Sequence, residues 1–200
     1  MRIGVAGYMG SGKTTCVRTF DSSDTLIIDA DSQAKLLMQS DPRLQLCLKE
    51  AFGDSVLGSK GPNYGELGRR AFQSPDTLAA LNSIIHPPLV KHLEHLVLGC
   101  DKPHCILDAA LIPLWRVEIW FDLCVWIDVP FETRLERLRA KISGMEEREL
   151  RRRMRLQEEM MGAPREKRWV RLSDSECGQY ILSSLEVKTP DCRNRSTPKC

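Results

Sequence analysis

Apolar positions along this chain follow two rhythms. Short, nearly continuous apolar runs suit strands buried on both faces: Ile3-Gly4-Val5-Ala6, Thr25-Leu26-Ile27-Ile28-Asp29, His104-Cys105-Ile106-Leu107-Asp108 and Leu123-Cys124-Val125-Trp126-Ile127-Asp128-Val129. Helical spacing fills the intervals. Ser32 to Leu37 opens one helix, and Pro42, Leu44, Leu48 and Phe52 mark another that Gly53 stops. Gly58 to Gly65 is a loop by composition. Ser74 caps a helix with Pro75 at its first position, and Leu78, Leu81 and Ile85 form its apolar face. His86-Pro87-Pro88 is expected to break that helix, with Leu89 to Leu98 forming a separate one ended by Gly99. Residues 42–99 thus read as a helical block without a strand candidate, too long for an ordinary crossover, and hence as an insertion.

Beyond the fourth strand, Pro130 starts a helix from Phe131 to Lys141, and Ser143-Gly144-Met145-Glu146 reads as a capping box opening the next. Arg168 to Leu172 is a candidate last strand. Ser173-Asp174-Ser175-Glu176 is a second capping box, leading into a helix near Leu185. Residues 188–200 are polar and aperiodic and are expected to be a disordered tail. Strands alternating with helices predict an α/β fold with a parallel sheet flanked by helices.

Chemistry enters at the first strand–helix junction. Gly7-Tyr8-Met9-Gly10-Ser11-Gly12-Lys13-Thr14 reads as G-x-x-x-x-G-K-S/T, with a strand before it and helical sequence after it. Gly7, Gly10 and Gly12 allow close backbone approach, so that successive N–H groups form an anion nest at a helix N-terminus. Lys13 would reach the β- and γ-phosphates of a nucleotide and the Thr14 hydroxyl would bind Mg²⁺, and the family resemblance given below makes Gly10, Ser11, Gly12, Lys13, Thr14 and Thr15 an ATP site. The other reading is a glycine-rich turn without a ligand.

Further candidates obey the same geometry, since ligands in such sheets bind beyond the carboxyl ends of strands. Asp29 and Asp31 stand at the end of the second strand, where one carboxylate can accept a proton from an attacking hydroxyl or help place a metal, or Asp31 can simply cap the next helix. Asp108, ending the third, can hold Mg²⁺ or cap the segment after it. The helical insertion would build the acceptor side. His86 is either structural or an acceptor contact. Eight arginines between Arg134 and Arg155 are either solvated ion-pair partners or a lid that closes over the triphosphate, with Arg137 the catalytic candidate.

A formal net charge of +2 over 200 residues argues for no nucleic-acid or membrane partner. Eight cysteines include no C-x-x-C, and Cys47, Cys105 and Cys124 lie in apolar runs and look like core residues. No stretch resembles a secretory signal, since the loop begins at residue 7, and no apolar run reaches bilayer length, so a reduced cytoplasm is the expected home.

The order of features resembles the dephospho-coenzyme A kinase family over residues 1 to about 160. The matching stretches are Gly10 to Thr15, Ile28-Asp29-Ala30-Asp31, Ala51-Phe52-Gly53-Asp54, Arg70-Ala71-Phe72, Leu81-Asn82-Ser83-Ile84-Ile85-His86-Pro87, Arg134-Leu135-Glu136-Arg137 and Gln157. The Leu-Asn-x-Ile-Ile-His-Pro run is the most specific. The resemblance implies a P-loop kinase in three parts: a core (about 1–33, 104–137 and 165–187), a helical acceptor-binding insertion (about 34–103) and a helical lid (about 138–164). It implies transfer of the ATP γ-phosphate to the ribose 3′-hydroxyl of dephospho-coenzyme A with Mg²⁺. Lys13, Asp31 and Arg137 would be catalytic, Asp31, His86 and Arg70 would face the acceptor, and Thr14 and Asp108 would hold the metal. A monomer or weak homo-oligomer is expected. Departures from the family pattern include Tyr64-Gly65 where an Arg is expected, and Ala110-Leu111-Ile112-Pro113 with no Glu downstream. A shikimate- or gluconate-like kinase and a catalytically weakened ATP-binding regulator are the alternatives.

Overall fold

The computed structural model describes residues 1–59, 61–142, 144–164 and 168–187. In chain order the elements begin β1 (Arg2–Ala6), α1 (Lys13–Arg18), β2 (Thr25–Asp29), α2 (Ala30–Ser40), α3 (Pro42–Phe52), β3 (Leu57–Gly58), β4 (Gly61–Pro62), α4 (Tyr64–Ala71) and α5 (Pro75–Leu98). They continue with β5 (His104–Asp108), α6 (Ile112–Trp115), β6 (Leu123–Ile127), α7 (Phe131–Lys141), α8 (Glu147–Met161), β7 (Trp169–Leu172) and α9 (Asp174–Val187). The main sheet is parallel in the order β2-β5-β1-β6-β7, the α/β arrangement expected from the strand runs. All four candidate strands and the final one form. No helix among the described residues is long and apolar enough to cross a membrane.

Successive strand residues point to opposite faces, and both faces are covered. Ala6, Ile28, Leu107 and Trp126 pack against the helices between β2 and β5. Ile3, Val5, Ile106, Val125 and Ile127 pack on the other face against Val17 of α1 and Ile181 of α9. A disulfide between Cys16 and Cys177 ties α1 to α9 across 161 residues of sequence. Cys105 and Cys124 are buried as expected, whereas Cys47 is exposed. It occupies the outer face of α3, whose buried positions are Leu44, Leu48 and Phe52.

The expected break at His86-Pro87-Pro88 does not occur, because α5 runs unbroken through both prolines. Each interior proline costs a helix about 3 kcal/mol. Leu78, Ile85, Leu89, Leu93 and Val97 are buried along one face, at about 1.5–3 kcal/mol each. A reciprocal capping box at Ser74 and Thr77 adds to this, and together they outweigh the prolines. The block expected to lack strands contains the hairpin β3–β4, whose two-residue strands are too short to carry a period.

The box expected at Ser143–Glu146 is also corrected. Gly144 has φ +82°, a turn conformation, and α8 begins at Glu147 with Glu146 as an N-cap that makes no side-chain bond. Ser143 lies outside the described residues. At Ser173 the box is reciprocated from one side, the Glu176 carboxylate accepting from the Ser173 N–H at 2.8 Å and its hydroxyl at 2.7 Å. The tail expectation, 188–200, lies outside the described residues.

Leu93 has no exposed surface. Leu93→Ala should destabilise the protein by about 2–5 kcal/mol, read as a lower denaturant midpoint at constant slope. A loss under about 0.5 kcal/mol, the level of an ordinary surface change, would contradict the packing of α5.

Candidate active site

The loop between β1 and α1 is wedged between neighbours that leave no room for a side chain at Gly7 or Gly10. A Cβ on Gly7 would lie 2.7 Å from the Ile127 carbonyl, and one on Gly10, at φ +79°, would lie 2.8 Å from the Arg134 carbonyl. The turn closes with the Ser11 N–H donating to the Tyr8 carbonyl at 3.2 Å. The Lys13 ammonium donates to the same carbonyl at 3.2 Å. Burial lowers the pKa of Lys13, opposed by the nearby carboxylates of Asp108 and Asp31.

The loop is clamped from the far side by a buried arginine. Arg134 on α7 donates through Nε to the Val129 carbonyl at 3.0 Å and through Nη1 to the Met9 carbonyl at 3.4 Å. Its other nitrogen pairs with Glu158 of α8, and the guanidinium lies over the Tyr8 ring, 4.9 Å from the centroid. Gln157 adds a second tie, its Oε1 accepting from the Met9 N–H at 2.8 Å.

Two carboxylates join the loop from adjacent strands. Thr14 Oγ1 donates to Asp108 Oδ2 at 2.6 Å. Burial raises the Asp108 pKa, against the lowering pull of Thr14 and Lys13. At the end of β2 the cap is Asp29, whose carboxylate accepts from the Ser32 N–H at 3.0 Å. Asp31 is therefore not the cap. It stands in the first turn of α2, and its side chain makes no hydrogen bond or ion pair among the described residues. Its surface opens onto the crevice, yet partial desolvation within that crevice, followed by Asp29, raises its carboxyl above the ordinary range, with Lys13 and Lys35 pulling the other way.

These groups line a crevice of about 320 Å³, with Lys13, Thr14, Asp31 and Asp108 facing Phe72 and Asn82 of the helical segment. On the other side of the loop a groove of about 540 Å³ runs past Gly10, Gly12, Thr15, Arg137 and Asp174. Lys13 and Thr14 line both.

The model of the family described as dephospho-CoA kinase matches residues 1–172. The chain belongs to the dephospho-CoA kinase family. A dephospho-CoA kinase from Corynebacterium efficiens is 34% identical over 158 residues, covering 77% of this chain and 78% of that protein. Among solved structures, a Thermus thermophilus protein superposes with TM-score 0.65 at 23% identity, over 95% of this chain and 98% of that one. A dephospho-CoA kinase from Campylobacter jejuni does so with TM-score 0.56 at 18% identity, over 94% and 98%. At those identities the two structures share the fold with this family member. Kinases of this family use ATP as co-substrate.

Of the residues singled out from sequence, Lys13, Thr14, Asp31 and Asp108 meet in the crevice. Gly10, Gly12, Thr15 and Arg137 meet in the groove, while Ser11 is buried beneath the loop. Arg137 pairs with Asp174 at 2.8 Å and its Nη1 hangs over the loop, 3.6 Å from where a Cβ on Gly12 would sit. His86 lies deeper, in a recess beyond Asp31. Arg70 is not brought in. Its Nε donates to Glu66 at 2.7 Å and its Nη2 to Ser55 at 2.8 Å, with a further bond to the Phe52 carbonyl, so it closes the C-terminal end of α3.

The other arginines of the crowded run divide. Arg151, Arg152 and Arg153 pair with Glu132, Glu147 and Glu149 on or beside their own helix, the solvated ion-pair arrangement. Arg134 lies in a family stretch, but its burial against the loop is not visible in the sequence. An arginine in an otherwise helical surface run gives no sign of burial, and only the fold brings Met9 and Tyr8 to it. Asn82 and Gln157 lie inside the family stretches but carry no chemical signal of their own.

Gly10→Ala should lower ATP affinity about tenfold or more. The left-handed conformation alone costs an L-residue about 1–2 kcal/mol, and the new Cβ meets the Arg134 carbonyl. Calorimetric titration with ATP checks this, and an unchanged Kd would contradict the fit of the loop against α7.

Proposed function

We propose that this family member transfers the γ-phosphate of ATP to the ribose 3′-hydroxyl of dephospho-coenzyme A, the last step of coenzyme A synthesis. The observation that carries this reading is Asp31: an unpaired carboxylate in the crevice that Lys13 and Thr14 also line. The loop amides and Lys13 hold the triphosphate, with Gly10, Ser11, Gly12, Thr14 and Thr15 along it. Asp31 accepts the proton of the acceptor hydroxyl, and a raised carboxyl is a stronger base than an ordinary one. Arg137 neutralises charge on the transferring group, exchanging its pairing with Asp174 for phosphate oxygens.

Thr14 and Asp108 fit Mg²⁺. The hydroxyl and carboxylate are hard oxygen donors 2.6 Å apart beside the phosphate loop. Among the described residues no three His, Cys, Asp or Glu side chains form a cage, consistent with an ion that takes its other ligands from phosphate and water. Held there by Thr14 and Asp108, the ion would supply charge compensation for the triphosphate.

The reading divides the chain into a core (about 1–33, 104–137 and 165–187), an acceptor-binding insertion (about 34–103) and a lid (about 138–164) that excludes water on closing. The protein is taken as a cytoplasmic monomer or weak homo-oligomer, with no nucleic-acid or membrane partner.

Incubation with ATP and dephospho-coenzyme A should yield ADP and coenzyme A in equal amounts. ATP binding without a phosphorylated product would instead favour a regulator. Asp31→Asn should lower kcat by roughly 10²-fold or more while leaving the Kd for ATP nearly unchanged. The raised Asp31 carboxyl also sets a pH dependence. The base is lost as pH falls through its pKa, so the acid limb of kcat/KM should lie above the ordinary carboxylate value of about 3.9. That limb should vanish in Asp31→Asn. Unchanged turnover, or an unchanged acid limb, would remove Asp31 as the base.

A further inference from the structure

The disulfide between Cys16 and Cys177 stands beside the phosphate loop. Cys16 lies on α1 one turn beyond Lys13, and Cys177 lies on α9 one turn beyond Asp174. The bond therefore joins the helix that carries the phosphate-binding side chains to the helix whose Asp174 holds Arg137. Asp174 is pressed against the loop. Its Cβ lies 3.4 Å, and its Oδ2 3.7 Å, from where a Cβ on Gly12 would sit, and Arg137 Nη1 lies 3.6 Å from the same point. Gly10, Gly12, Thr15, Cys16, Arg137 and Asp174 all line the one groove.

A carboxylate in that position opposes a polyphosphate. When Arg137 turns to phosphate oxygens, Asp174 is left bare beside the bound anion, and like charges at close range repel. Relief requires the first turn of α9 to draw back. The disulfide resists this, because it fixes the next turn of α9 to the helix of the loop itself. We propose that Cys16 and Cys177 form a redox switch on the ATP site: the oxidised bond holds the Asp174–Arg137 pair closed over the loop, and reduction releases Arg137 to the nucleotide. This rests on the reading of Arg137 as a phosphate contact. In the cytoplasm taken above for this protein, disulfides are rare, and those present are mostly transient redox devices. Both sulfurs sit in an apolar cluster with Val17 and Ile181, where two thiols fit as small hydrophobes, so the packing does not require the bond.

One of the two sulfurs is approachable. Cys16 lines the groove and keeps 6% of its surface, whereas Cys177 has none. A small thiolate entering the groove attacks Cys16 Sγ, the S–S bond breaks, and Cys177 leaves as a thiolate that takes up a proton. A second thiolate attacks the added sulfur, and Cys16 leaves and is protonated in turn. Two small thiols are thereby oxidised to one disulfide, and the protein disulfide is reduced to two thiols. The reverse reaction takes a small disulfide such as oxidised glutathione as the oxidant. Its two sulfurs leave as thiols while Cys16 and Cys177 are joined.

The test titrates ATP calorimetrically into the full chain after equilibration with dithiothreitol or with oxidised glutathione. Alkylation and mass spectrometry count the free thiols at Cys16 and Cys177 in each state. The reduced protein should bind ATP about tenfold more tightly, an ordinary coupling between two sites. Cys177→Ser should give the reduced value in both buffers, which separates this pair from the exposed Cys47. Asp174→Asn should bring the oxidised protein close to the reduced value, since no carboxylate then opposes the nucleotide. Equal affinities in the two states, or a difference that survives in Cys177→Ser or in Asp174→Asn, would overturn the switch. So would thiols that both stay open to alkylation after oxidation, or loss of ATP binding on reduction, which would make the bond a structural staple. A redox-dependent ATP affinity with no coenzyme A formed in either state would uphold the switch and overturn the transfer reaction instead.

Discussion

Strand register is the constraint on which the site depends. Asp29 pairs with Asp108 across β2 and β5, and Asp108 pairs with Val5 across β5 and β1. Because the strands are parallel, their carboxyl ends emerge side by side, and the loop after β1 opens beside both carboxylates. A slip of one residue on any strand would turn its whole apolar set to the wrong face, so the two-sided core also fixes the site. Ile3 and Val5 on one face, and Ala6 on the other, are what hold the loop level with Asp108.

Given that register, the local chemistry results from crowding. The phosphate loop lies so close to β6 and α7 that Gly7 and Gly10 have no space for a side chain. Arg134 makes that contact durable. It is almost completely buried, and its charge is met by two carbonyls, one carboxylate and the faces of Tyr8 and Phe131. Removing one partner of a buried charge costs far more than a surface pair contributes, so this arginine stiffens the loop in a way that its solvated neighbours on α8 do not. On the opposite side, desolvation in the crevice, followed by the nearby Asp29, holds the Asp31 carboxyl above its usual range, and burial does the same for Asp108, with Lys13 pulling both the other way. The division of labour between the two aspartates of β2 and α2 is positional: Asp29 commits its carboxylate to the Ser32 N–H, which leaves Asp31 unpaired.

The sheet and the loop are legible in the sequence because their signals are local. Buried parallel strands are short apolar runs, and the phosphate loop is a contiguous motif. The features that are not legible depend on tertiary contacts. Pro87 and Pro88 look like a stop until the buried face of Leu89, Leu93 and Val97 is counted. Cys47 sits in an apolar run but on the outer side of its helix. Asp31 reads as the cap in the sequence, and only the start of α2 at Ala30 gives that place to Asp29. Arg70 lies in a family stretch, yet it is bound to Glu66, Ser55 and the end of α3, which sequence spacing cannot reveal.

The decisive feature is where the acceptor's ribose lies relative to Asp31. A crystal structure with a non-hydrolysable ATP analogue and dephospho-coenzyme A tests it most directly. The expected result places the 3′-hydroxyl within about 2.6–3.2 Å of the Asp31 carboxylate, in line with the γ-phosphorus held over Lys13. A ribose bound elsewhere, with Asp31 turned to solvent in the ternary complex, would contradict it.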